Sequence, residues 1–446
     1  MLSNVHRLRL AGFRAQSARP LVLGITIKQL PLNLFLAVAF ACTQDPGLAQ
    51  SSSPSPANYE TPGPVNAADF LPRSVFSGKK IYVQKTAQNN GLQNTYWITA
   101  NSQEYEVSGS EAALRLWQEW PAVNQLREIS TAKAVTRGLT NSAKDTYQTG
   151  KEIFHDPIGS VKKVPQGVSR FFGKIKDTLR QDTDNTESKP SISSTAKNIL
   201  GVDDAKRKLA ARLGVDVYSR NETLQAELDR VATAIAGGGI AFSIGTLPIG
   251  GAVGVGLTAV GIEQTVNSLI NESSPEDLRK WNENTLSKLG ALPATISSFL
   301  NHPWYSPRQE TIITAALKKT GVDPNLFLET ANQALTDQDG RYYQHVAQLL
   351  ALYSEKIAPL KSLRLVDGVV SAVDHNDQLV VPVSFDYAIW TQTVAQRVDS
   401  LVEFLHGDQS IKGSTIYTDG KLSDRLQSEL HQRSISFQTG SLLSSG

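Results

Sequence analysis

Residues 274–325 read SPEDLRKWNENTLSKLGALPATISSFLNHPWYSPRQETIITAALKKTGVDPN. Ser274 precedes Pro275, and Glu276 and Asp277 follow. That is the order of an N-cap, a first helical position that needs no N–H donor, and acids beside the positive end of the helix. Gly290 is placed to stop this helix. Ser306-Pro307 repeats the start, Gly321 repeats the stop, and Asp323-Pro324 opens a third helix. Starts this closely spaced predict a compact helical array, which the reading extends over 196–356.

Upstream the array holds VATAIAGGGIAFSIGTLPIGGAVGVGLTAVGI, residues 231–262, a run of 32 residues without one charged side chain and with nine glycines. Pro248 splits it into 231–247 and 249–262. Gly237, Ala241 and Gly245 place small residues at four-residue spacing on the first half, and Gly250, Gly254 and Thr258 do so on the second. Such ladders let helix backbones approach closely, and they predict a glycine-rich helical hairpin with Gly237, Gly245, Gly250 and Gly254 as packing positions. As helices, the halves reach only about 21–26 Å, short of the roughly 30 Å hydrocarbon core. The hairpin therefore packs in protein or dips into one leaflet, and the pattern leaves both open. Gly254-Val255-Gly256-Leu257-Thr258-Ala259 matches a dinucleotide fingerprint, but it follows Gly250-Gly251 and not a strand, so it carries no nucleotide expectation.

Residues 131–180 carry ten basic side chains against four acidic ones. Within 165–180, Val168, Phe171, Phe172, Ile175 and Leu179 share one helical face of about 100°, while Arg170, Lys174, Lys176 and Arg180 fall outside it. A basic amphipathic helix with paired phenylalanines suits an anionic membrane surface or the apolar face of a protein. Phe171, Phe172, Lys174, Ile175 and Lys176 are the candidate contacts with a membrane or a protein partner.

The start of the chain has a basic region ending at Lys28, an apolar stretch LPLNLFLAVAFA from Leu30 to Ala41, and Gly47-Leu48-Ala49 as small residues for cleavage. This plan predicts a secretory signal peptide over 1–49 and an exported, periplasmic or envelope-associated protein. Cys42 is the single cysteine, so a mature chain would be cysteine-free, with no thiolate nucleophile and no disulfide. Beyond residue 49 the acidic and basic side chains nearly balance, which argues against nucleic acid as a partner.

Between these regions, 50–66 is a Ser/Pro-rich disordered linker, and 67–130 reads as three strands and a helix. The strands are Lys80–Val83, Thr95–Ile98 and Glu104–Val107, with a helix capped by Ser110. A polar linker spans 181–195. Residues 357–437 form an α/β module: a hairpin of Val369–Val373 and Leu379–Val383 about His375-Asn376-Asp377, then helix, strand, Ser423-capped helix and strand. Residues 438–446 read as a disordered tail. The fold class is α+β, predominantly α, with small β-containing modules at both ends of a central helical array.

Chemical motifs are missing from the linear sequence. There is no G-x-S-x-G, no H-E-x-x-H and no H-x-E, and the seven histidines stand apart. No metal ligands, cofactor site or catalytic residues are expected from spacing alone. The stretch GVDVYSRNETLQAELDRVATAIAGG, residues 214–238, resembles the core of an uncharacterised family of exported bacterial proteins, and 155–175 and 302–311 resemble segments of the same group. That resemblance implies a common fold over about 75–437 and no assigned activity. The expectation is a non-catalytic binding protein at the membrane surface or cell envelope. The alternatives are a soluble periplasmic hydrolase with a carboxylate-based site, or an envelope scaffold.

Overall fold

A computed structural model describes residues 59–131 except Lys79, together with 194–237 and 264–440. Helix predominates, and sheets stand near both ends, as expected for a predominantly α member of the α+β class. The expected signal peptide, the Phe171–Phe172 helix with Lys174, Ile175 and Lys176, and the ladder glycines Gly245, Gly250 and Gly254 lie outside the described residues.

The first sheet has five strands: β1 (Pro64–Asn66), β2 (Ile81–Val83), β3 (Thr86–Asn89), β4 (Asn94–Ala100) and β5 (Gln103–Ser108). The order β1-β3-β4-β2 is antiparallel, and β5 also pairs with β4. Strands β1 and β3 are additional to the three expected from hydrophobic runs, because PVN and TAQN carry almost no apolar signal. Helix α1 (Ser110–Thr131) follows. Ala113 and Trp120 of α1 join the sheet core, whereas Ala122, Val123 and Leu126 pack with Leu209, Leu213, Leu224 and Leu228. Those leucines belong to α2 (Ser194–Leu213) and α3 (Glu222–Ala236), so one helix joins the sheet to the helical array.

Helix α3 ends at Ala236, and Gly237 is its C-cap, with its N–H donating to Thr233 O at 2.9 Å. Gly237 thus closes α3, and the remainder of its expected ladder lies outside the described residues. The array continues with α4 (Gln264–Glu272), α5 (Pro275–Lys288), α6 (Pro293–Leu300), α7 (Pro307–Thr320), α8 (Asn325–Ala331) and α9 (Asp337–Lys356). Ser274 caps α5, and Ser306 with Gln309 forms a reciprocal capping box on α7. Gly321 stops α7 at φ 69°, in the left-handed region that a side chain disfavours. Thr336 and Asp339 form a second capping box on α9.

The C-terminal sheet has the order β12-β10-β8-β7-β6. Strands β6 (Leu360–Val366), β7 (Val369–Asp374) and β8 (Gln378–Val383) form an antiparallel meander. Helix α10 (Gln392–Gly407) then leads to β10 (Gly413–Thr418), parallel to β8, and α11 (Asp424–Gln432) leads to β12 (Ile435–Thr439), parallel to β10. A short parallel pair, β9 (Tyr387–Ala388) and β11 (Lys421–Leu422), follows the ends of β8 and β10. Every residue of β7 is buried, as in a sheet covered on both faces. Helix α9 packs on α7 and lies against β7, β8 and β10.

Ser110 does not act as the expected N-cap. It is the first helical residue, and its N–H donates to Asp386 Oδ1 at 2.8 Å, while Asn94 N–H donates to Asp386 Oδ2 at 2.8 Å. The acid at the positive end of α1 therefore comes from the loop after β8. Asn94 and Ser110 are both buried, so loss of the carboxylate strands two donors away from water. Asp386→Ala is expected to lower unfolding free energy by about 3 kcal/mol, and Asp386→Asn by about half that. Urea unfolding measures both, and a loss below about 1 kcal/mol for the alanine variant would show that these bonds do not hold the two parts together.

Candidate functional site

The parallel register pairs Val383 of β8 with Thr418 of β10, so Ser384 and Asp419 leave neighbouring strand ends side by side. The Ser384 hydroxyl donates to Asp419 Oδ2 at 2.8 Å, and Phe385 N–H donates to Oδ1 at 3.3 Å. The next residue, Gly420, sits where a Cβ would lie 2.0 Å from Phe385 O, so no other residue fits this turn without moving the backbone. The carboxyl edge of a parallel sheet is where open α/β folds place their ligands.

His345 reaches this edge from the middle of α9. Its Nδ1 lies 2.8 Å from Ser384 Oγ and 3.5 Å from Asp419 Oδ2. Its Nε2 lies 3.5 Å from Glu111 Oε2, on the first turn of α1. Four side chains from three parts of the chain thus converge: Glu111, His345, Ser384 and Asp419. The exposure of 15% for His345, 13% for Asp419 and 30% for Glu111 leaves the cluster open to solvent at one side.

Burial and charge set these groups apart. For Glu111, burial alone acts upward, but Arg115, His345 and Arg341 outweigh it and hold the carboxyl well below the usual range. For Asp419, burial prevails over His345 and Ser384 and pushes the carboxyl up to about 6. Burial acts to lower His345, yet the hydrogen bond and charge of Glu111 and the charge of Asp419 raise it above the ordinary imidazole value. Two carboxylates whose environments drive them in opposite directions, with an imidazole between them, are the usual makings of an acid–base centre.

Glu111 continues into a stripe of charge along α1. Arg115, one turn on, pairs with Glu111, and Glu119 follows one further turn along. Glu119 is 2% exposed; its Oε2 accepts from Asn221 Nδ2 at 3.0 Å, while Oε1 has no partner. Burial raises its pKa to about 7, despite Ser219, Arg115 and Asn221. On α9, Arg341 lies one turn before His345 and pairs with Asp337 Oδ2. Arg220 Nε pairs with the other oxygen of Asp337 at 2.7 Å, and its guanidinium lies 5.6 Å from the centre of the Trp304 ring.

None of the four central residues was legible as a site, because their sequence positions have no motif spacing. The available signal was positional. VVPVSFD and TIYTDG each place polar residues immediately after an apolar strand, and a parallel pairing of those strands brings the polar residues together. His375 stays in its hairpin turn, where its N–H donates to Pro359 O at 3.1 Å.

Among the described residues, no group of three or more His, Cys, Asp or Glu side chains is disposed to hold a metal ion. No helix among them is long and apolar enough to cross a membrane. No known family, curated protein or solved structure matches this chain.

The buried Glu119 has a consequence for stability. Its folded pKa of about 7 stands above the ordinary glutamate value of 4.5, so between these values the folded chain keeps a proton that the unfolded chain has released. Its contribution to stability is full at low pH and declines as pH rises through this window, by up to about 3 kcal/mol. Glu119→Gln removes that decline. Unfolding free energies measured at pH 5 and pH 7.5 should converge in the variant relative to wild type; an unchanged difference would rule out this role.

Proposed function

We propose that this protein is a hydrolase for ester-type substrates, with Ser384 as nucleophile, His345 as general base through Nδ1, and Glu111 orienting the imidazole through Nε2. The observation that carries the reading is the 2.8 Å approach of Ser384 Oγ to His345 Nδ1 at the carboxyl edge of the parallel strands. A hydroxyl held by an imidazole, which a carboxylate faces on its far side, is the arrangement that activates a serine. This favours a hydrolase over the non-catalytic binder expected from the sequence, with a serine nucleophile in place of the carboxylate-based site of the expected alternative. A glycosidase pair fits less well, because the His345 ring fills the space between Glu111 and Asp419 where a sugar would have to sit.

In the resting state the imidazolium donates from Nδ1 to Ser384 and from Nε2 towards Glu111, and Ser384 donates to Asp419. Loss of the imidazolium proton leaves Nδ1 free to accept from the serine hydroxyl. Ser384 Oγ then attacks the ester carbonyl carbon, and its proton passes to Nδ1. Collapse of the tetrahedral adduct breaks the bond to the leaving alkoxide, which takes that proton from His345. A water molecule, deprotonated by the same nitrogen, attacks the acyl-enzyme; the acid departs and the proton returns to Ser384.

Ester turnover should therefore rise with pH through an apparent pKa above 6.5. Glu111→Gln moves that limb to lower pH, because Glu111 is a principal cause of the raised imidazole value. Ser384→Ala and His345→Gln are expected to reduce p-nitrophenyl acetate hydrolysis by about 100-fold or more. A fluorophosphonate probe followed by peptide mass spectrometry should label Ser384. Folded wild-type protein that neither labels there nor hydrolyses esters refutes the assignment.

A second reading rests on the paired phenylalanines and basic side chains of residues 165–180. In this reading an exported protein docks on an anionic membrane surface through Phe171, Phe172 and Ile175, with Lys174 and Lys176 meeting the headgroups. Protein spanning residues 50–446 should co-sediment with anionic vesicles at low salt and release at high salt. Absence of vesicle binding at low salt excludes it.

A further inference from the structure

The side chains beside His345 speak to the kind of ester that such a centre would take. Arg341 precedes His345 by four residues on α9, so both project from the same helical face, about 6 Å apart along the axis. Arg341 and Arg220 share one carboxylate: Asp337 gives Oδ2 to the first and Oδ1 to the second. Two guanidiniums against one acid leave one positive charge in excess. Asp337 can satisfy only a few of their N–H donors, and Arg220 donates one more to Pro303 O at 3.4 Å.

These groups are neither free at the surface nor sealed. The side-chain exposures are 24% for Arg341 and 16% for Arg220, with Asp337 at 23%. A guanidinium pinned by a carboxylate and laid against Trp304 is already oriented, so a ligand that meets its remaining donors does not first have to order it. The charge of Arg341 also acts on Glu111 and helps to hold that carboxyl ionised. Arg115 is balanced by Glu111, Asp216 and Glu119, whereas Arg220 and Arg341 have Asp337 between them.

We infer that the Ser384 centre acts on an anionic ester, whose carboxylate or phosphate group is held by Arg341, backed by Arg220, one helical turn along the helix from His345. The inference rests on the reading of Ser384 and His345 as catalytic, but anion binding by Arg341 is measurable without turnover. Planar oxyanions meet a guanidinium through two parallel hydrogen bonds, which lysine does not reproduce.

The kinetic test compares p-nitrophenyl acetate with mono-p-nitrophenyl succinate, which adds a carboxylate a few bonds from the same ester. Wild type should favour the succinate by about tenfold or more in kcat/KM, mainly through KM. Arg341→Gln should collapse that preference, and Arg341→Lys should restore it only in part. Equal preference in wild type and Arg341→Gln overturns the inference while leaving the hydrolase reading intact.

The binding test uses Ser384→Ala protein, which cannot form the acyl-enzyme. Calorimetric titration with succinate and separately with inorganic phosphate should show saturable binding, weakened about tenfold or more by adding Arg341→Gln. The ligand that binds more tightly distinguishes carboxylate from phosphate. Failure of both ligands to bind overturns the anion assignment, whereas binding here combined with wild-type protein that hydrolyses neither ester overturns only the hydrolase reading.

Discussion

Two backbone N–H groups meeting one carboxylate hold this structure in register. Asp386, in the loop after β8, accepts from Asn94 at the start of β4 and from Ser110 at the start of α1, each at 2.8 Å. One residue beyond Ser110 is Glu111, and two residues before Asp386 is Ser384. The same contact that completes the end of a helix therefore brings the acid on that helix within reach of His345. Slippage at this junction by one residue would turn Glu111 by about 100° around α1 and away from the imidazole.

The electrostatics of the cluster follow from that placement. Desolvation is the leading influence at Glu111, Asp419, His345 and Glu119, and what separates them is which charges stand nearby. Glu111 faces two arginines and an imidazole, so its ionised form prevails. At Asp419 the imidazole, the Ser384 hydroxyl and backbone N–H do not overcome burial, to which the charge of Asp386 adds. Glu119 has Arg115, but Asp216 stands close enough to offset part of it. One row of positions on α1 thus holds a strongly acidic carboxyl at its solvent end and a weakly acidic one at its buried end.

The sequence was readable wherever the signal was local. The caps at Ser274 and Ser306, the left-handed stop at Gly321, and the hairpin about Asn376 each depend on residues within four positions of one another. Strands β1 and β3 escaped because they carry few apolar side chains, and the inward-facing Asn89 of β3 is polar and satisfied by Asn94 and Tyr387. The start of α1 escaped for a different reason: its cap is donated by a residue far along the chain. The site itself is a product of topology, since the parallel alignment of β8 and β10 is what makes neighbours of Ser384 and Asp419.

The junction at Asp386 also orders events in time. Glu111 comes from the first described stretch, His345 from the last helix of the array, and Ser384 and Asp419 from strands joined in sequence through α10. Closing such distant contacts costs more chain entropy than closing local ones, and it brings together segments that no local element could join. A nascent or partly unfolded chain therefore carries all four residues and none of their arrangement. The cluster comes into being as a reporter of completed folding, silent until both ends of the described chain have met.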